Sequence, residues 1–115
     1  MKSLSILFLM LISLMSITSV PIRTVSASTT IGSGDDTGFV TNTGGSVTFT
    51  LGTVSSGFSC TVVNHGTGII TFSGSVTVAN GTTITTLSKS ASEILPNQIG
   101  NSINLFYDGT TWRGQ

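Results

Sequence analysis

Few side chains in this sequence could do chemistry, and they do not form a recognisable catalytic set. His65 is the only histidine, Cys60 is the only cysteine, and Asp35 and Asp36 stand side by side in a Gly/Ser-rich stretch. A Ser-His-Asp arrangement would have to use His65 with one of three aspartates, and no Gly-x-Ser-x-Gly motif presents a serine nucleophile. The sequence therefore predicts no catalytic residues and a protein that is not an enzyme.

The same residues predict no metal or cofactor site. Asp35 and Asp36 could lend oxygen ligands to calcium, but they lack the alternating spacing of an EF-hand loop. His65 has no second histidine, cysteine or carboxylate at a metal-ligand spacing. We interpret Asp35 and Asp36 as part of a solvated linker and His65 as a turn residue.

Cys60 alternates with Phe58 and Val62, which places all three on one face of a strand. We interpret it as a small buried hydrophobe. The alternative is an intermolecular disulfide in an oligomer, because a single cysteine forms no internal one.

The candidate ligand-binding residues are Tyr107, Trp112 and His65. The C-terminal aromatics Tyr107 and Trp112 could stack on sugar rings, because an aromatic ring offers a flat apolar face and, in tyrosine and tryptophan, a polar tip. For Trp112 the structural role, as the residue that closes the core, is the favoured interpretation, and stacking on a sugar is the alternative. We expect it to be buried together with six other residues: Phe49, Phe58, Val62, Ile70, Phe72 and Leu105. Asn80-Gly81-Thr82 matches the N-glycosylation sequon, and in a chain without glycosylation it is a turn.

The predicted strands that position these residues come after an N-terminal leader segment. Residues 1–27 have the pattern of a cleaved signal peptide: Lys2, an apolar run from Leu4 to Ile17, and small residues before a cleavage site after Ala27. An uncleaved membrane anchor is the alternative. We expect residues 28–37 to be a flexible Gly/Ser/Asp segment and residues 38–115 to form one β-module.

Composition limits the partners of the exported chain. Half of the residues from Ser28 onward are serine, threonine or glycine, and only 7% of the whole chain is charged. Without the leader, two basic and four acidic residues remain, which argues against nucleic-acid binding and against docking on an anionic membrane. The domain is small and has no internal disulfide, so we expect it to gain stability as a homo-oligomer.

Short runs of alternating apolar residues, separated by turn residues, predict strands throughout the module. The clearest is Ser46–Leu51, and Asn80-Gly81 and Asp108-Gly109 predict hairpins. We expect an all-β fold, a small antiparallel sandwich or barrel of about seven to eight strands, without an internal repeat. A loop with one helical turn is expected near residues 89–102.

Four stretches carry a resemblance to a known family: Val47-Thr-Phe-Thr-Leu51, Gly57-Phe-Ser-Cys-Thr-Val-Val-Asn64, Gly66-Thr-Gly-Ile-Ile-Thr-Phe72 and Asp108-Gly-Thr-Thr-Trp112. Together they resemble a β-module found near the C-termini of bacteriophage tail-fibre and other virion-associated proteins. The resemblance implies an oligomeric, often trimeric, surface module that binds or caps.

These observations favour an exported, non-enzymatic structural or adhesive module, secreted or on a cell surface, or on a virion surface if a phage encodes it. The alternative is a carbohydrate-binding module that takes a surface glycan through its C-terminal aromatics. A small secreted hydrolase or inhibitor is a third class.

Overall fold

A computed structural model describes residues 20–79, 81–87 and 101–115, and in these residues the chain is almost entirely β-structure. The all-β class predicted from the sequence is confirmed. A single 3-10 turn, Ser33–Asp35, interrupts the strands of the described residues. The nine strands are β1 (Ile22–Val25), β2 (Thr29–Ile31), β3 (Gly38–Asn42), β4 (Val47–Leu51), β5 (Ser59–Asn64), β6 (Ile70–Val78), β7 (Thr83–Leu87), β8 (Ser102–Tyr107) and β9 (Trp112–Gly114).

Side-chain alternation explains why these segments are strands. In β5 every second residue is buried, and the residues between them are half-buried. In β4, Val47 and Phe49 point inward, whereas Thr48 and Thr50 are exposed. β-branched residues suit such a pleated, half-buried surface, and they dominate both segments.

The strands form two walls of parallel pairs. In one wall β1 pairs with β3 and β3 with β5, and in the other β2 pairs with β4 and β4 with β6. The predicted antiparallel pairing is therefore wrong for these four pairs and for the β6–β9 pair, which is also parallel. After each strand the chain crosses to the opposite wall and returns to form the parallel neighbour. The alternation of side chains within one strand therefore does not show which strand pairs with it.

The chain also has a structural repeat, so the prediction of a fold without an internal repeat is wrong. Two consecutive strands, one in each wall, make one turn of a coil. The three turns are β1 with β2, β3 with β4, and β5 with β6, and each turn stacks on the next. Asn42 and Asn64, 22 residues apart, occupy the same place in consecutive turns. A Cβ atom on Gly66 would meet the carbonyl oxygen of Gly44, so the corners between the walls stack closely.

The C-terminal strands close the stack. β8 adds antiparallel to β5, β9 lies between β8 and β6, and β7 adds antiparallel to β6. The result is a nearly closed, barrel-like sheet in which β1, β2 and β7 each have a single described neighbour. The two predicted hairpins are present: β6–β7, with Gly81 at φ 84°, and β8–β9, with Gly109 at φ 96°.

The core lies between the two walls. Side chains predicted to be buried are buried in six of seven cases: Phe49, Phe58, Val62, Ile70, Phe72 and Leu105. Trp112 differs, since it is half-buried and packs against the margin of the core. Its ring contacts Phe58 and Tyr107, and its strand β9 has only three residues.

The N-terminal part of the described chain is structured where flexibility was expected. Residues 28–37 contain β2 and the 3-10 turn, and β1 lies within the predicted leader. Residues 1–19, Asn80 and residues 88–100 lie outside the described residues. The apolar run of the leader, the sequon asparagine and most of the predicted loop at 89–102 therefore have no structural description. Among the described residues no helix is long and apolar enough to cross a membrane.

Candidate functional site

The C-terminal aromatics form one cluster with Phe58. Tyr107 and Trp112 are register partners on β8 and β9, and their ring centroids are 5.5 Å apart. The Trp112 ring meets Phe58 edge-to-face, also at 5.5 Å. Backbone hydrogen bonds hold the cluster together, since Tyr107 N donates to Phe58 O and Gly57 N donates to Tyr107 O. Both candidate aromatics are half-buried, so each contributes to the core and keeps an accessible side.

A cavity of about 220 Å³ opens beside this cluster. Its apolar side comes from Phe58 and Val54, and its polar side comes from Asp36 and three serines, Ser33, Ser55 and Ser56. Asp36 also accepts a hydrogen bond from Ser59 N through Oδ1. The carboxylate and hydroxyls have the donor and acceptor composition that suits a polyhydroxylated ligand. Phe58 is only 4% exposed, and neither Tyr107 nor Trp112 lines the cavity, so the aromatic pair lies next to it and not in its wall.

His65 is not part of this cluster. It follows β5 at the end where Val63 pairs with Ser102, whereas Tyr107 is the last residue of β8. The five residue steps between Ser102 and Tyr107 span about 17 Å. His65 is exposed, and its backbone N–H donates to Asn42 O. The three predicted ligand-binding residues therefore divide into an aromatic pair and a separate turn histidine.

Asp35, predicted to be solvated, is buried and paired with Arg23. Arg23 donates to both carboxylate oxygens, from Nε to Oδ1 at 3.0 Å and from Nη2 to Oδ2 at 2.9 Å. The same guanidinium donates to the Thr29 side chain and to Thr30 O. Asp35 is therefore not a solvated linker residue. Its pairing could not be predicted because its partner Arg23 lies in the segment assigned to the leader.

A second ion pair lies on the surface. Arg113 donates from Nε to Asp108 Oδ2 at 2.6 Å, and Asp108 Oδ1 accepts from the amides of Thr110 and Thr111. The Arg113 hydrogen bond, followed by these amides, lowers the pKa of Asp108 from 3.8 to about 2. This carboxylate shapes the β8–β9 turn and stays ionised, so it is poorly suited to act as a base.

Cys60 is buried, which confirms its interpretation as a small core residue. Burial is the largest cause that raises the pKa of its thiol from 9.0 to about 12, and the charge of Asp35 adds to it. The thiol is thus neutral near pH 7 and is a weak nucleophile. It lies beneath a shallow cavity of about 260 Å³ on the outer side of β3, β5 and β8.

Two groups of buried or paired polar residues are not predicted from the sequence. Arg23 and Asp35 are one, and the buried asparagines Asn42 and Asn64 are the other. The repeated Asn-x-Gly in Asn42–Gly44 and Asn64–Gly66 was the available signal. Within the described ranges, no group of three or more histidines, cysteines and carboxylates is placed to hold a metal ion.

Comparisons with protein-family models, with curated proteins and with solved structures find no match for this chain.

Proposed function

We propose that the chain is an exported, non-enzymatic β-module that self-associates and has a structural or adhesive role on a surface. The observation that carries the proposal is an apolar patch on the outer face of the first wall. Phe39 is 43% exposed there, and its register partner Ile22 on β1 is 74% exposed in a chain that keeps residues 20–27. Cleavage after Ala27 would remove Ile22 with β1, and Phe39 on β3 would then carry the patch. Neighbouring exposed apolar side chains on a small uncharged face favour burial against another protein surface.

The open margins of the sheet support the same proposal. Among the described strands, β1 and β2 end the strand order and β7 pairs with β6 alone, so each of these three strands has a neighbour on one side only. Unpaired strand edges favour association unless they are covered. The resemblance to phage fibre modules implies a trimer, and three copies packed through Phe39, together with Ile22 where β1 is retained, would bury the patch near a common axis.

Sedimentation equilibrium at tens of micromolar tests this proposal. We expect a trimer for the unaltered chain and a monomer for Phe39→Lys, because a charge in the patch opposes its burial. Thr110→Lys adds the same charge at an exposed turn far from the patch, so it should remain a trimer. A monomeric unaltered chain, or a trimer that tolerates Phe39→Lys, would contradict the proposal.

The absence of catalysis in this proposal has its own test. Hydrolysis of an ester, peptide or glycoside by the purified chain that disappears with His65→Ala would assign the protein to the hydrolase class instead.

A second candidate function is carbohydrate binding, and the cavity beside the aromatic cluster favours it. A glycan would stack on the accessible side of Trp112 or Tyr107 and extend polar groups toward Asp36. Trp112 is the only tryptophan of the chain, so its fluorescence reports on this site directly. A glycan array should yield a ligand that changes this emission and whose binding is weakened by Tyr107→Ala. His65→Ala, at the distant turn, should leave binding unchanged.

A further inference from the structure

The second wall has an outer face made of hydroxyl side chains in register. Two rows cross the strands β2, β4 and β6. In one row Thr30 lies beside Thr50, and Thr50 lies beside Ser73. In the other row Thr48 lies beside Thr71, and Ser28, which stands just before β2, adjoins Thr48 through a hydrogen bond from Thr48 N to its Oγ. We call these six residues the hydroxyl face: Ser28, Thr30, Thr48, Thr50, Thr71 and Ser73.

The hydroxyl face is uncharged and mostly open to solvent. Five of its side chains are exposed, and Thr71 is half-buried. Four of the six are threonines, whose branched side chains have few rotamers on a strand and therefore hold their hydroxyl and methyl groups in place. The Ser28 hydroxyl is also fixed, because Oγ accepts a hydrogen bond from Thr48 N at 2.9 Å. Ile69, which is 39% exposed, directly precedes β6 and lies next to the face.

Sheet geometry gives this face two regular repeats. Neighbouring strands are about 4.8 Å apart, and alternate residues along one strand are about 6.6 Å apart. Thr48 and Thr50 show the second repeat within β4, and Thr71 and Ser73 show it within β6. A face with two fixed repeats of this size can match a crystalline lattice of small molecules at several points at once.

We propose that the hydroxyl face is an ice-binding surface. Its hydroxyls take the place of lattice oxygens while the threonine methyl groups fit between them, so the ordered water above the face continues into the crystal. Each contact is weak, but the strands position all of them before binding, which removes most of the ordering cost. This activity is separate from the proposed self-association, since Ile22 and Phe39 lie on the other wall.

The chemistry of the face favours ice over other ligands. A glycan site needs an aromatic ring to stack against a sugar, and the aromatic cluster lies at the β8–β9 end of the barrel. A protein partner would be expected to bury aromatic or arginine side chains, and the six positions offer only hydroxyls. A rigid, uncharged array of hydroxyl and methyl groups is suited to a periodic water lattice.

Partition into a slowly growing ice crystal tests the proposal with the full chain. We expect the chain to be enriched in the ice fraction relative to a co-frozen protein without affinity for ice, and to slow ice recrystallisation. Thr50→Lys places a flexible charge in the middle of the face, so enrichment should fall to the level of the co-frozen protein. Ser102→Lys makes the same change at an exposed position on the outer face of the first wall, and it should leave enrichment unchanged.

Circular dichroism of each variant separates loss of binding from loss of folding. If Thr50→Lys does not fold, Ser73→Lys provides the same test on β6. Equal exclusion of the unaltered chain and the co-frozen protein from ice would overturn the proposal. So would an equal loss of enrichment with Ser102→Lys, or binding to crystalline cellulose or chitin without binding to ice.

Discussion

Arg23 and Asp35 form a two-point ion pair that joins the first strand to the 3-10 turn before β3. The Asp35 side chain is 10% exposed and that of Arg23 is 37% exposed, so the pair is shielded mainly on the carboxylate side. Asp35 Oδ2 also accepts a hydrogen bond from Gly32 N at 3.1 Å. The first turn of the coil is thereby tied to the second by charge as well as by backbone pairing.

We predict that Arg23→Ala lowers the free energy of unfolding by about 1–3 kcal/mol, because it leaves a buried carboxylate without its partner. Urea denaturation followed by circular dichroism measures the effect. Asp35→Asn in the same background should recover part of the loss, since it removes the unpaired charge. Arg113→Ala breaks the exposed pair with Asp108 and should cost clearly less than Arg23→Ala, because solvent screens that pair. Equal losses for the two arginine variants would show that shielding of Asp35 is unimportant.

Export processing is predicted to affect stability through β1. The leader pattern predicts cleavage after Ala27, and that cleavage removes β1 together with Arg23. Pro21 O and Val25 O accept backbone hydrogen bonds from Phe39 and Thr43, so these bonds would be lost as well. N-terminal sequencing of the exported product identifies the cleavage position.

A chain that begins at Ser28 should therefore unfold at a lower temperature than a chain that begins at Val20. Thermal denaturation of the two forms under the same conditions measures the difference. An equal or higher melting temperature for the shorter form would mean that β1 contributes nothing to the fold.

The buried asparagines make a third prediction. Asn42 Nδ2 donates to Asn64 Oδ1 at 3.1 Å, and Asn64 Nδ2 donates to Gly68 O at 2.8 Å. Both side chains are fully buried. Asn64→Ala should cost about 2–4 kcal/mol, because it leaves several buried polar groups unpaired.

Asn64→Asp separates hydrogen bonding from volume, since the carboxylate has the size of the amide but cannot donate to Gly68 O. Its loss of stability should be smaller at pH 4 than at pH 7, because protonation restores a donor. Asn104→Ala, at an exposed position of β8, should change the free energy of unfolding by less than about 1 kcal/mol. A cost for Asn64→Ala similar to that of Asn104→Ala would contradict a structural role for the asparagine pair.

Cys60 predicts a loss of stability at alkaline pH. Its pKa is raised to about 12 in the folded chain, against 9.0 for an exposed thiol. Below pH 9 the thiol is neutral in both states, so its contribution to stability is fully present. Between pH 9 and 12 the unfolded chain ionises first, and stability falls as the pH rises.

Cys60→Ala removes this titration, so its free energy of unfolding should depend less steeply on pH between 9 and 12 than that of the unaltered chain. The difference between the two curves cancels the contribution of lysine and tyrosine residues. Parallel curves would show that the thiol ionises equally easily in the folded and unfolded chain.

Local sequence determined where most strands lie. Val47 and Phe49 alternate with threonines, and this period of two depends only on neighbouring residues. The same reasoning located the hairpin turns at Gly81 and Gly109, because a turn needs a residue that tolerates positive φ. It also identified most of the core.

Tertiary structure decided how the strands pair and which polar residues matter. Side chains alternate with a period of two in both parallel and antiparallel strands. The sequence around Thr48 therefore does not predict that Thr71 lies beside it. The sequence around Asp35 is typical of a linker, and only the folded chain places Arg23 of β1 within hydrogen-bond distance of its carboxylate. The sequence by itself therefore determined the β-class and the faces of individual strands, whereas the stacked coil, the buried ion pair and the hydroxyl face depend on contacts between residues far apart in the chain.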